Sequence, residues 1–240
     1  MKIRLTFSLI ILSALFFMVS CSQTPDPDKI TLKDKNDSIS YVIGLDYGAG
    51  LQKQNIDYRP AAMFKGLENS LKGQSIFPDS VKRALITEIN SQIEQRRQEV
   101  FNAQLAQNKE SGAKFMKENK DKPAVVELPS GLQYKVINQG VGKNKPSATD
   151  SVVVHYRAMF TDGSLIDETY GRLPTSFRLN RIMKGLSQGI QLMNPGSIYE
   201  FYIPSSLAFA DKNFTDQNGN VVIPAGSTLV YRVELLNVIR

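Results

Sequence analysis

The chain has 240 residues, 42% hydrophobic and 22% charged, the balance of an ordinary globular protein with room for one large domain or two small ones. The formal net charge is +6. Setting aside Lys2 and Arg4 at the N-terminus leaves 27 basic residues against 23 acidic, with no long basic stripe, so a nucleic-acid partner is not expected. A single cysteine, Cys21, excludes a framework of internal disulfides.

Lys2 and Arg4 form a short positive segment ahead of an apolar run from Leu5 to Val19, broken only by Thr6, Ser8 and Ser13. That run is shorter than the roughly 20 residues a membrane-spanning helix needs. It ends in Met18-Val19-Ser20-Cys21, and small residues just before a cysteine resemble a bacterial lipobox. Residues 1–20 are therefore expected to be a lipoprotein signal peptide, with Cys21 as the lipid attachment point. An uncleaved anchor helix and an ordinary secretory signal are the alternatives. Acyl chains gain about 0.8 kcal/mol per buried methylene, enough in combination to hold a soluble domain at a membrane. Ser22 is not an obvious retention signal, which points to the cell envelope and to the outer membrane or periplasmic face. Residues 21–36, polar and containing Pro25 and Pro27, read as a flexible tether.

Residues 37–121 read as an all-helical domain. Ile39, Val42, Ile43, Tyr47 and Leu51 recur at helical spacing after a cap at Asp37 or Ser38. A second helix is expected from Pro60, with Ala61, Phe64, Leu67 and Leu71 on one face and Gly73 as its stop. A third follows Pro78-Asp79-Ser80 and carries Leu85 or Ile86, Ile89, Ile93 and Val100 before running on toward Phe115. A helix exceeding about 30 residues, or about 45 Å, is too long for two short partners to cover. Its apolar stripe predicts a homodimer formed through the N-terminal helices; packing on the first two helices alone is the alternative.

Residues 122–129, around Pro123, read as a linker. From residue 130 to 240 the pattern turns to period two. Val152-Val153-Val154-His155-Tyr156 is a β-branched strand, and Thr161-Asp162-Gly163-Ser164 supplies a turn. Further strands are expected at Ser197–Ile203 and Thr228–Val238. One short helix is expected at Arg181–Met193, interrupted by Gly185 and Gly189. One helix among several antiparallel strands predicts an α+β domain whose sheet wraps on that helix, preceded by the helical domain and its long connecting helix.

No nucleophile elbow, phosphate loop or zinc-binding helix motif is present. The only histidine, His155, is on a strand, where a lone histidine is usually structural. No metal and no cofactor are expected. The ordered blocks SGLQYKVINQGVG, VVVHYRAMFTDGSLID, IMKGLSQGIQLMNPGSIYEFYIPSSLAFA and VIPAGSTLVYRVELL instead resemble the FKBP family of prolyl isomerases across residues 130–240. DSISYVIGLDYGAGL and the long helix resemble, more weakly, the N-terminal domain of bacterial FKBPs that dimerise.

The resemblance implies a peptidyl-prolyl cis–trans isomerase acting on proline-containing polypeptides and assisting the folding of exported proteins. Such a reaction breaks no covalent bond. Its barrier of roughly 18–20 kcal/mol is lost amide resonance, which an apolar cradle fitted to the twisted amide can lower. Matching the blocks residue by residue implies that Tyr156, Asp167 and Phe209 stand at the reacting bond. Ile166, Ile182, Met183, Leu186, Ile223 and Tyr231 are implied to bind substrate. Three of these depart from the family pattern. Leu186 replaces a pocket-floor tryptophan, Ile166 replaces a phenylalanine, and Phe209 replaces a tyrosine whose hydroxyl bonds a ligand carbonyl. Thr175 also stands opposite a family aromatic, while Phe177 reads as core. Those departures leave two other readings, a dimeric chaperone with a weak prolyl site and a lipoprotein reusing the fold to dock a partner.

Overall fold

A computed structural model describes residues 30–54 and 58–240. The expected signal peptide and the lipid site at Cys21 lie outside the described residues. Compactness divides the chain after Gln74, and the second unit runs from Ser75 to Arg240.

In the first unit, helix α1 spans Lys35–Lys53 and α2 spans Pro60–Leu71. α1 starts earlier than its apolar spacing suggested. Asp34 is extended and caps the helix by accepting the Asp37 N–H at 2.9 Å, while the Asp37 carboxylate accepts the Lys33 N–H at 2.9 Å. α2 begins on a proline, whose fixed φ suits a first helical position. Beyond its end, Gly73 takes a left-handed φ of +65°. Neither helix contains a buried residue.

The second unit opens with α3, Asp79–Asn119. Its 41 residues extend about 60 Å. Its last turn joins the sheet through a buried amide pair. Asn119 Nδ2 donates to Gln133 Oε1 at 2.9 Å, and Gln133 Nε2 donates to Met116 O at 2.8 Å and Glu127 Oε2 at 2.7 Å. The stretch expected as linker contains a strand, β1 (Val125–Glu127), because its backbone pairs with β2 (Gln133–Asn138).

The remaining strands are β3 (Ser151–Phe160), β4 (Leu165–Glu168), β5 (Thr175–Arg178), β6 (Ile198–Ile203), β7 (Phe214–Thr215), β8 (Val221–Ile223) and β9 (Leu229–Ile239). They form an antiparallel sheet ordered β1-β2-β6-β9-β3-β4, with β5 also on β3, and a separate β7–β8 ribbon. β3 and β9 pair along the full length of β3. Alternation sends Val152, Val154 and Ala158 of β3 and Leu229, Tyr231, Val233 and Leu235 of β9 to one buried face. A bulge at Leu236 shifts the parity, so Val238 rather than Asn237 packs on the core.

The expected helix at Arg181–Met193 is two pieces, a 3-10 turn at Leu179–Arg181 and helix α4 at Lys184–Ile190. Ile182 and Met183 between them are extended (ψ 172° and 144°). Gly185 and Gly189 do not interrupt α4; they let it lie directly on the sheet. A Cβ at Gly189 would stand 2.6 Å from Phe201 Cε1, and one at Gly185 would press on Ile203 and Leu207.

Candidate functional site

The other edge of β3 is shared by two short strands. β5 pairs with its first half, from Ser151 to Val154, and β4 with its second, from Arg157 to Met159. Tyr156 falls in the gap. There Thr169 replaces a partner strand: its hydroxyl accepts the Tyr156 N–H at 2.9 Å, and its own N–H donates to Tyr156 O at 3.0 Å. The sheet is therefore opened at Tyr156 without orphaning its backbone.

Three rings meet at this opening. Tyr156 sits diagonally across from Tyr231 with ring centroids 6.0 Å apart, and lies 6.4 Å from Phe177. The Tyr156 hydroxyl donates to Asp167 Oδ2 in a short hydrogen bond. Asp167 faces Ala158 across the β3–β4 ladder, and its Oδ1 accepts from Arg172 Nη2 at 2.8 Å. Burial opposes the Asp167 charge, but the hydrogen bonds from Tyr156 and Arg172 outweigh it and hold the carboxyl below its ordinary value. Burial first, and then the bond to Asp167, push the Tyr156 phenol up to about 12. Burial likewise raises Tyr231, reinforced by the nearby Tyr156 and Asp167.

The aliphatic candidates gather against the same apolar cluster. Leu186, Ile223 and Tyr231 are buried within it, and Ile166, Ile182, Met183 and Phe209 pack on its margin, half exposed. Leu186 comes from α4. Ile182 and Met183 come from the extended break before that helix, which leaves their amides outside its internal hydrogen-bond ladder. Ile223 ends β8. Phe209 follows the 3-10 turn Ser205–Leu207, and its ring lies 4.8 Å from Phe214. Eight of the nine expected site residues lie in or against this cluster, and Asp167 is joined to them by its hydrogen bond with Tyr156. Ile166 and Leu186 give it smaller walls than aromatic rings would, and Phe209 brings no hydroxyl.

Sequence reasoning missed Arg172, Thr169 and Phe214. Arg172 had a faint signal, a cation five residues after the key carboxylate; nothing local marked the other two. Phe177, expected as core, touches the core and the Tyr156 ring alike. His155 points to the opposite face of β3, where Nδ1 lies 3.1 Å from Thr169 Oγ1 and the ring stacks on Tyr170 at 5.4 Å. Among the described residues no cluster of histidine, cysteine and carboxylate side chains suits a metal ion.

Aromatic and aliphatic side chains beside a phenol tethered to a carboxylate are a set suited to binding an apolar group. Residues 142–236 match the family described as FKBP-type peptidyl-prolyl cis-trans isomerase, and residues 36–136 match the domain amino terminal to such isomerases. The chain belongs to the FKBP-type peptidyl-prolyl cis-trans isomerase family. It is 32% identical over 213 residues to the outer membrane protein MIP of Legionella longbeachae, covering 88% of this chain and 89% of that one. It is 36% identical over 204 residues to the FKBP-type 22 kDa peptidyl-prolyl cis-trans isomerase of Escherichia coli, covering 83% and 94%. The crystal structure of FkpA from Escherichia coli superposes with a TM-score of 0.69 at 25% identity, covering 87% of this chain and 99% of that one.

Proposed function

We propose that this protein accelerates cis–trans isomerisation of X–Pro bonds in polypeptides folding at the cell envelope. The observation that carries the reading is the packing of Tyr231, Ile223 and Leu186 in one apolar cluster, with Tyr156 against it and linked through Asp167 to Arg172. A prolyl ring fits apolar walls. The planar amide before it is more polar than the twisted one, so a site that removes water favours the twisted form. Tyr156, Asp167 and Phe209 border the bond that turns, and Ile166, Ile182, Met183, Leu186, Ile223 and Tyr231 hold the proline.

A proline-peptide isomerisation assay on the whole chain tests this, alongside Phe209→Tyr and Leu186→Trp. The wild type should exceed the uncatalysed rate. Phe209→Tyr should gain several-fold in affinity, since one hydrogen bond has a net worth of about 1 kcal/mol. A wild-type rate no faster than buffer rejects the reading.

The same reading assigns residues 130–240 to catalysis, 122–129 to a connection and 37–121 to dimerisation. The absence of any buried residue in α1 and α2, with Val42, Tyr47, Leu67 and Leu71 all more than half exposed, favours a second copy as their cover. Sedimentation as a monomer at micromolar concentration would remove that assignment. Residues 1–20 act as a signal peptide and Cys21 as the lipid anchor behind the tether 21–36. Cys21→Ser should release the protein from the membrane fraction, and retention there would count against the anchor.

A further inference from the structure

The second half of α3 touches the loop that carries two of the pocket walls. Asn108 Nδ2 donates to Ala225 O at 2.8 Å, two residues beyond Ile223. The Asn108 amide is oriented by Gln104, whose Nε2 donates to Asn108 Oδ1 at 2.9 Å. Lys109 Nζ lies 2.7 Å from Asp211 Oδ1, two residues beyond Phe209. That pair is about half exposed and contributes little alone, so the weight falls on Asn108 and on close backbone approach.

Two glycines, one on each side, permit the approach. Gly226 has a left-handed φ of +78°, and a Cβ there would stand 2.9 Å from Leu105 Cδ1 and 3.0 Å from Leu105 O. On the helix, a Cβ at Gly112 would collide with the Thr228 hydroxyl. The loop is also tied to itself. The Ala225 N–H donates to Asn213 Oδ1 at 2.7 Å, and the Gly226 N–H donates to Ala210 O at 2.8 Å. Ala210, directly after Phe209, holds a φ of +52°. A non-glycine residue in that region is disfavoured and persists only where its surroundings fix it.

Beside these contacts runs a cleft of about 340 Å³, lined by Asn108 and Ser111 on the helix and by Phe160, Asp162 and Thr228 on the sheet unit. The helix therefore touches the loop at a few points and does not continue the core. Loosening the touch is separable from unfolding the sheet.

We propose that α3 residues 105–112 form a positioning element for the prolyl pocket, gripping residues 208–226 so that Phe209 and Ile223 stand ready for substrate. The proposal rests on the isomerase reading above. A loosened loop is binding-competent only part of the time, which raises the apparent dissociation constant in inverse proportion to that fraction, whereas bound substrate restores the loop. Loss of the grip therefore raises KM and spares kcat.

The test uses the whole chain with Asn108→Leu, and Glu110→Ala on an exposed part of the same helix as control. The expected result for Asn108→Leu is a KM raised about three- to ten-fold, the range one net hydrogen bond supports, with kcat retained. Amide exchange at Ala225 and Gly226 should quicken while the β3–β9 ladder stays protected and the thermal midpoint holds. Glu110→Ala should change none of these. An unchanged KM with unchanged exchange overturns the proposal, as does a fall in kcat that tracks a lost midpoint. If the wild type itself shows no isomerase activity, the functional reading fails separately. Exchange at Ala225 and Gly226 then decides the grip: faster in Asn108→Leu sustains it, equal overturns it.

Discussion

Asp167→Ala is expected to lower kcat/KM about ten-fold or more in a proline-peptide assay, the loss typical of removing a hydrogen bond to a charged group. The carboxylate holds the Tyr156 hydroxyl with one oxygen and Arg172 with the other, so its removal frees both partners at once. Asp167→Asn keeps the shape and should fall between alanine and wild type. The pH dependence follows from the same groups. The Asp167 carboxyl titrates below its ordinary 3.8, so its contribution is complete above about pH 4 and is lost as the pH falls through the lower folded value. The Tyr156 phenol is raised from 10.0 to about 12, so its contribution is complete below 10.0 and is lost as the pH climbs through about 12. The wild-type profile should therefore stay flat from about pH 5 to pH 10, and Asp167→Asn should lack the acid limb. Equal rates for wild type and Asp167→Ala would remove this carboxylate from the site.

The largest loss of stability is expected at Phe201. Its side chain is fully buried in β6, opposite Tyr231 and Tyr134, with its ring 5.9 Å from that of Tyr199. The Gly189 backbone of α4 rests on one edge of that ring, so a void there would face rigid backbone that cannot collapse into it. Phe201→Ala should cost about 3–5 kcal/mol, a drop in melting midpoint on the order of 10 °C. Circular dichroism during thermal or urea unfolding reads it directly. A loss under about 1 kcal/mol would mean that α4 does not depend on this ring for its seat.

Sequence patterning carried far where one residue type answers to its own neighbours. The run Val152–Tyr156 announces a strand through its β-branched side chains, and Pro60 announces a helix start through its fixed φ. The site candidates came from ordered blocks that resemble a family, and eight of the nine lie in or against one apolar cluster. Features set by distant partners stayed hidden. Gly185 and Gly189 look like helix breakers until Phe201 and Ile203 are known to lie beneath them. The break at Ile182–Met183 is invisible to helical spacing because both residues are apolar and fit either conformation. Val125–Glu127 looks like linker because a three-residue strand exists only through its pairing with β2. Thr169 is an unremarked polar residue until the missing partner strand at Tyr156 gives its hydroxyl a task.

The divided edge of β3 separates two demands that usually conflict. β3 pairs with β9 along its whole length, whereas its other edge is divided between β5 and β4 and is open at Tyr156. Residues 169–174 cross that opening between β4 and β5; Thr169 and Arg172 among them are tied to Tyr156 and Asp167, while none belongs to the ladder between β3 and β9. The pairing that holds β3 in the sheet and the segment that borders Tyr156 thus lie on different stretches of chain.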